Sequence, residues 1–400
     1  MGVISPLGQG LEANLEALRA GTDAVSELSP YRIDVSKCRS KTAGNIRQWP
    51  GAERDPKKPD LADDYMWNRR AFDRLHPVSH WMISAAMEAR KLDPAFVPEL
   101  AVIGTTSGGM SCGQFFQRAQ IDRQRPKGRA AWLANYMPQK AVNDALEANG
   151  YSCPAQIIAN ACASGTNAVG HAFRLIRGGL HERVLCGGYD MVSELVFVGF
   201  DSLQAATTEK VRPFDKDRSG LVLGEGAAVL CLEEWETARL RGARILAEIT
   251  GYGIATDNHH LTQPHPSGIG PRLAMERALA DARRNADEID YINAHGTATA
   301  FNDATEGAAI AQVFGAGVPV SSTKSMMGHA LGAAGAIEAV FSILALQRQF
   351  LPPNINYATP DPAWKLDIVA NEAREAIVRR VISNSFGFGG TNASIVLEAA

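Results

Sequence analysis

This sequence predicts an α/β fold, sheets sandwiched by helices, on three observations. Short β-branched runs alternate with Ala-rich helical stretches along the whole chain. Gly and Ala are spread through nearly every segment, and no Ser/Pro/Gly-rich linker divides the chain. At 400 residues, with 46% hydrophobic and 21% charged residues, the chain can also bury a large core. One fused, layered unit is expected.

The elements follow in order. The opening, Met1-Gly2-Val3-Ile4-Ser5-Pro6, reads as a glycine-containing turn; such a turn normally follows a strand, so a strand is expected to be missing ahead of residue 1. Ala-rich helical periodicity predicts helices over 12–19 and 77–90, and Ala101-Val102-Ile103-Gly104 reads as the first strand. A helix over 139–148 precedes a strand over 155–158, which runs into a helix of small residues over 165–177. β-Branched runs at 183–185, 228–232 and 245–249 read as strands, followed by a helix over 271–284. A strand over 289–292, helices over 303–314 and 332–349, and strands at 381–382 and 394–397 complete the chain.

A strand, a reactive turn and a small-residue helix occur near Cys162 and recur with His295 and His329. This suggests two pseudo-repeated halves, 1–242 with a nucleophilic cysteine and 243–400 with catalytic histidines. Tight packing in a single non-repeated core would produce the same Gly/Ala-rich helices.

The formal charge of −3 excludes a general nucleic-acid footprint, which needs a basic excess to neutralise phosphates. The six cysteines include no CxxC pair and sit mostly in apolar or Gly/Ala-rich contexts, as reduced thiols do. No stretch reads as an apolar run long enough to span a bilayer, and the start lacks the layout of a signal peptide. A cytoplasmic protein is expected.

In Ile157-Ile158-Ala159-Asn160-Ala161-Cys162-Ala163-Ser164-Gly165-Thr166 a strand passes straight into a helix, with Cys162 at the turn. The positive end of the helix dipole there stabilises a thiolate and lowers its pKa, and free backbone N–H groups can hold an oxyanion. An arbitrary cysteine is more often an inert buried one; Cys38, Cys112, Cys153, Cys186 and Cys231, which lack this context, are read so.

Tyr291-Ile292-Asn293-Ala294-His295-Gly296-Thr297-Ala298-Thr299 places a histidine just past a buried strand. Ser321 to Gly335 places His329 ahead of a close-packed helix, with Lys324 a few residues before it. Either histidine alone is a weak signal; with Cys162 the three form a strong one. Neutral imidazoles donating Nε2–H suit a transition state that puts negative charge on thioester oxygen. Metal binding is the competing use, with His259, His260 and His265 as further candidates, but no H-E-x-x-H run appears and no metal is expected.

These motifs, with Arg212 to Gly220 leading into Gly224-Glu225-Gly226 and the closing Asn384-Ser385-Phe386-Gly387-Phe388-Gly389-Gly390-Thr391-Asn392, resemble the elongating β-ketoacyl-[acyl carrier protein] synthases, members of the thiolase-like superfamily. The resemblance runs along nearly the whole chain. It implies a thiolase-like layered fold (α-β-α-β-α) and a Cys162, His295, His329 triad. Lys324 would support the electrostatics with Glu306 as its ion-pair partner and Asp303 in the same polar network. Phe388 would gate the acyl pocket and share the oxyanion hole with Cys162. Thr297 and Thr299 would meet the phosphopantetheine arm, with Phe200, Leu221 and Ser107 as further substrate contacts. No bound cofactor is implied, since acyl carrier protein brings its own phosphopantetheine.

The implied reaction is decarboxylative condensation of an acyl group on Cys162 with malonyl carrier. A basic patch of Arg69, Arg70, Arg74, Lys127 and Arg129 would receive the acidic carrier. The family also implies a dimer, either two identical chains or a pair with a chain-length factor. Several positions depart from the housekeeping pattern: Leu221 replaces an aromatic, Gln204 an arginine, Ala300 a proline and Met327 a threonine. Leu221 and Asp201 are expected near the acyl and pantetheine channel, and Ser107 is expected to widen the acyl pocket at the dimer interface. The 258–266 stretch resembles synthases of bacterial polyene or other secondary pathways; a solvated surface loop is the other reading. A degradative thiolase and a non-catalytic chain-length partner remain the alternatives.

Overall fold

The computed structural model describes residues 1–28, 33–46, 75–123 and 131–400. The five basic residues read as a carrier patch, Arg69, Arg70, Arg74, Lys127 and Arg129, lie outside the described residues.

Two six-stranded sheets carry the fold. Five strands of the first lie in the order Gly2–Ser5, Gly226–Glu233, Arg183–Asp190, Leu100–Gly104, Ala155–Ile158. Their pairings run antiparallel, antiparallel, parallel, parallel. The second sheet repeats that scheme with Glu248–Thr256, Thr391–Glu398, Arg380–Gly387, Tyr291–Asn293 and Pro319–Ser321. In both, the spatial order is first, fifth, fourth, second, third in chain order. The repetition suspected from the sequence is therefore a repeated topology.

Helices complete the layers. Ser164–Arg177 and Ala334–Arg348 pack on each other between the sheets. Pro77–Leu92 and Gln139–Ala148 cover the outer face of the first sheet, and Ile269–Ala282 and Ala300–Phe314 that of the second. The largest buried apolar cluster draws on both sheets, for instance Val102, Cys186 and Leu230 with Val381, Ile395 and Leu397. Small residues make the central layer thin: a Cβ on Gly335 would lie 1.9 Å from Thr166 Oγ1, and one on Gly165 2.7 Å from the Gly332 carbonyl oxygen. Leu331–Arg348 does reach bilayer-spanning length and apolarity, contrary to the sequence expectation, but 89% of it is buried as this central element.

Three further readings need correction. Gly2–Ser5 is a strand and not a turn, with Ile4 opposite Ala227. The strand read at 245–249 runs instead over Glu248–Thr256. Its Gly251 and Gly253 look like breakers, yet a Cβ at either would come within 2.2 Å of a carbonyl oxygen of Ile269–Ala282, so close helix packing requires them. The helices Met110–Ile121 and Glu194–Ser202 were not anticipated.

Candidate active site

The strand Ala155–Ile158 and the helix Ser164–Arg177 hold Cys162 between them in a tight elbow. Ala161 takes a left-handed φ of 56°. Ser164 Oγ closes the turn by donating to the Ala161 carbonyl at 2.6 Å and accepting from Asn160 N–H at 3.0 Å. The thiol is buried, and burial pushes its pKa up to about 11; the backbone N–H of Phe388, the Lys324 charge and Cys162's own N–H pull the other way. Burial therefore opposes the thiolate that the helix end and these donors favour. The same two N–H groups are placed to receive an oxyanion.

His295 leaves the end of strand Tyr291–Asn293, and His329 follows the short helix Lys324–Met327. Their rings meet edge to face with centroids 5.1 Å apart, and both line a cavity of about 230 Å³ with Cys162. The His329 Nδ1 accepts from Leu331 N–H at 3.2 Å, so the neutral ring carries its proton on Nε2, which is buried without a partner. Among the described residues no hydrogen bond fixes the tautomer of His295, whose Nδ1 is also unpartnered. Burial, then the positive charge of Lys324, depresses the pKa of both rings well below the usual histidine value; His329 adds to this at His295. Both are neutral at physiological pH.

The expected Lys324–Glu306 ion pair is not formed. Lys324 Nζ bonds Glu338, on the central helix Ala334–Arg348, and both side chains are buried. Burial raises the Glu338 carboxyl to about 7 despite Lys324. Glu306 instead holds the histidine turn: its oxygens accept from His295 and Gly296 N–H, each at 2.8 Å. Burial raises Glu306 to about 7 against the Gly296 N–H bond. Asp303 clamps the next stretch, accepting from Ala298 N–H at 3.1 Å and Phe214 N–H at 2.8 Å. The two carboxylates thus brace a turn in which Gly296 (φ 39°) and Ala298 (φ 66°) are left-handed. The Arg212 to Gly220 segment packs over this turn, with Gly220 N–H donating to the Ala298 carbonyl.

Phe388 stacks on Phe200 at 5.4 Å, and both line the cavity with Leu221, Thr297 and Thr299. The threonine hydroxyls are 3.0 Å apart. Gly389 and Gly390 follow with φ of 81° and 79°, which leave the loop free of Cβ strain. Ser107 lies off the cavity. Its hydroxyl donates to Asp190 Oδ1 at 2.9 Å, and that buried carboxylate also accepts from Thr106 and Gly332 N–H. Asp201 is likewise elsewhere, its carboxylate accepting from Arg39 and Ser40 N–H.

Three contributors went unread. Glu338 was signalled by a carboxylate inside an otherwise apolar helix. Phe386 packs 5.9 Å from the His295 ring. Asp257 accepts from Asn392 and His265 and donates its N–H to the Gly390 carbonyl, tying 257–265 to the Phe388 loop. His260, Gln263 and Pro264 from this stretch line the cavity, so it is not merely a solvated loop. Among the described residues no group of three or more His, Cys, Asp or Glu could hold a metal ion.

A larger cavity, of about 810 Å³, lies elsewhere, between the Trp235–Leu240 helix and the 243–250 stretch, and contains none of these groups.

The β-ketoacyl synthase N-terminal domain model matches residues 1–238 and the C-terminal domain model residues 246–358. The chain is 34% identical to 3-oxoacyl-[acyl-carrier-protein] synthase 2 of Synechocystis sp., over 100% of this chain and 96% of that protein. It is equally identical to the enzyme of that name from Staphylococcus aureus, over 100% and 99%. Among solved structures, the ishigamide ketosynthase/chain length factor superposes with a TM-score of 0.88 at 34% identity, over 100% of this chain and 97% of that one. A β-ketoacyl synthase from Burkholderia phymatum gives 0.87 at 32%, over 100% and 98%. With both domain models matched in order and the cysteine and two histidines gathered in one cavity, the chain belongs to the β-ketoacyl synthase family.

Proposed function

We propose that the chain joins an acyl group held on Cys162 to malonyl-[acyl carrier protein], giving 3-oxoacyl carrier and carbon dioxide. The observation that carries this is the His329 Nε2–H, its tautomer fixed by Leu331 and its proton left unpartnered in the cavity of Cys162. A buried, oriented donor of this kind stabilises negative charge on a thioester oxygen.

In the first half, Cys162 Sγ bonds to the acyl carbonyl carbon while the Phe388 and Cys162 N–H groups hold the oxyanion. His295 takes the thiol proton and passes it to the departing carrier thiol. In the second half, the malonyl carboxylate leaves as carbon dioxide, and the enolate oxygen is held by the imidazole donors. The enolate carbon attacks the acyl carbonyl, Cys162 leaves as thiolate, and one proton taken up from solvent restores the thiol. Burial, with the Lys324 charge adding to it, keeps both imidazoles neutral. Thr297 and Thr299 meet the pantetheine arm, Phe388 gates the acyl pocket, and residues 1–242 and 243–400 act as the two fused halves.

Phosphopantetheine arrives on the carrier. The setting is cytoplasmic, and the chain works in a dimer. Identity to 3-oxoacyl-[acyl-carrier-protein] synthase 2 and to the matched chain of the ishigamide ketosynthase/chain length factor is the same, 34%, so pathway is left to the substrate test. Intact-protein mass spectrometry with a panel of acyl carriers should show acyl adducts that vanish in Cys162→Ala and are discharged by malonyl carrier. A folded protein that forms no adduct with any of them would overturn the proposal.

A further inference from the structure

We infer that Asp190 is a positioning residue for the condensing cycle: one of its carboxylate oxygens, Oδ2, ties the turn that presents His329 to the elbow that presents Cys162. This rests on the condensing reading above. Asp190 ends the strand Arg183–Asp190 and is fully buried. Among the described residues its hydrogen-bond partners are all neutral donors. Oδ1 accepts from the Thr105 and Ser107 hydroxyls and from Ser107 and Gly108 N–H, at 2.8 to 3.0 Å. Oδ2 accepts from Thr106 N–H at 2.8 Å and from Gly332 N–H at 2.6 Å. A backbone N–H can only donate, so four of them shared between two oxygens call for a carboxylate, and a side-chain amide would turn a donor toward one set.

Each Oδ2 partner leads directly to a reacting group. Gly332 follows Leu331, whose own N–H sits 3.2 Å from His329 Nδ1 and fixes that ring's tautomer, so holding Gly332 holds the next peptide along. Thr106 sends its hydroxyl to the Ala161 carbonyl at 3.0 Å, and Ala161 is the left-handed residue immediately before Cys162. The two arms meet without slack: a Cβ on Gly332 would lie 2.7 Å from both Asp190 Oδ2 and Thr106 N. Cys162 and His329 belong to different elements, so neither local turn sets the spacing between them. The path through Gly332, Asp190, Thr106 and Ala161 sets it with four short links. Buried polar networks of this kind hold one arrangement, and the spacing of reacting groups governs rate steeply.

The test separates rate from binding. Thr106 is exposed, so Thr106→Val removes the hydroxyl without disturbing the core, while Asp190→Asn breaks the junction itself. Single-turnover acylation of Cys162 should slow about tenfold in Thr106→Val and further in Asp190→Asn, as small misplacements of reacting groups do. Thr106→Ser, which keeps the hydroxyl, should restore the wild-type rate. KM for acyl-carrier should stay within about threefold of wild type, because neither Thr106 nor Asp190 lines the cavity. The double variant should acylate no slower than Asp190→Asn alone, since the hydroxyl acts through the same junction. Condensation by pre-acylated enzyme should fall more in Asp190→Asn than in Thr106→Val, because only the first releases the His329 turn. A wild-type rate in Thr106→Val, or equal losses in the Val and Ser variants, would overturn the inference even where Asp190→Asn does not fold. Strictly additive losses in the double variant, or losses carried by KM alone, would overturn it too. Failure of wild type to form any acyl adduct would instead sink the condensing reading.

Discussion

At the residue scale, the site works by withholding charge. A thiol raised to about 11 beside imidazoles held well below the usual value cannot ionise by itself near neutrality. If His295 takes the proton during attack, the acylation rate should be flat with pH from about 6 to 9, because thiol and base together keep the same proton count across that range. In His295→Gln only pre-formed thiolate reacts, so the rate should climb nearly one decade per pH unit. Single-turnover acylation monitored by mass spectrometry distinguishes the two, and an inflection near 6.5 in wild type would show a histidine that is not neutralised by burial.

The same depression has a stability consequence. The native histidines hold fewer protons than the unfolded chain below its histidine pKa of about 6.5, so their contribution is present above that value and lost as pH falls through and below it. The denaturation midpoint of wild type should therefore drop from pH 7 to pH 5 more than that of a His295→Gln/His329→Gln double variant. The buried Lys324–Glu338 pair makes a separate test. Removing either charge strands the other in the core, so Glu338→Gln or Lys324→Met should each cost about 3–5 kcal/mol in urea denaturation at pH 8, where Glu338 is ionised. The double variant should cost less than the sum of the two, and strict additivity would show that the pair is not coupled.

At the element scale, the two central helices hold the halves of the site against each other. Ser164–Arg177 begins at the cysteine elbow, and Ala334–Arg348 carries Glu338 and follows the His329 turn. Their approach depends on small residues. With a Cβ only 1.9 Å from Thr166 Oγ1, Gly335→Ala must push the helices apart. It should destabilise the fold by about 1–3 kcal/mol, as overpacking does, and slow acylation by moving Cys162 relative to the histidines. A thermal melt and single-turnover kinetics read both effects; a variant as stable and as fast as wild type would show that this layer yields easily.

At the scale of the whole molecule, an apolar surface away from the cavity mouth stands exposed among the described residues. Phe115 on Met110–Ile121, Tyr136 at the end of Ala131–Tyr136 and Leu195 on Glu194–Ser202 are exposed on neighbouring elements. The dimer expected from the family would cover such a face. Sedimentation should give the mass of two chains, and Leu195→Glu or Tyr136→Glu should shift it toward one. Because Phe200, which stacks on Phe388, lies on the same helix as Leu195, dissociation should also slow acylation. A monomeric wild type with full activity would contradict this.

The sequence by itself determined the layered α/β class and singled out Cys162, His295 and His329 as one candidate site, because these depend on local patterns: a strand running into a small-residue helix, and histidines beside tight turns. The resemblance also picked out Glu306 and Asp303, but as partners of Lys324 and not as the braces of the histidine turn that they are. Only the tertiary structure decided the partners. Lys324 meets Glu338 rather than Glu306 because the central helix passes beneath it, while the backbone N–H groups of the His295 turn claim Glu306. Within this chain the Ser107 hydroxyl bonds the Asp190 carboxylate and the Asp201 carboxylate holds the Arg39 backbone. The thiol's pKa followed the same logic. Local sequence displays the helix end that would lower it, but the burial that raises it comes from distant parts of the chain folding over the site.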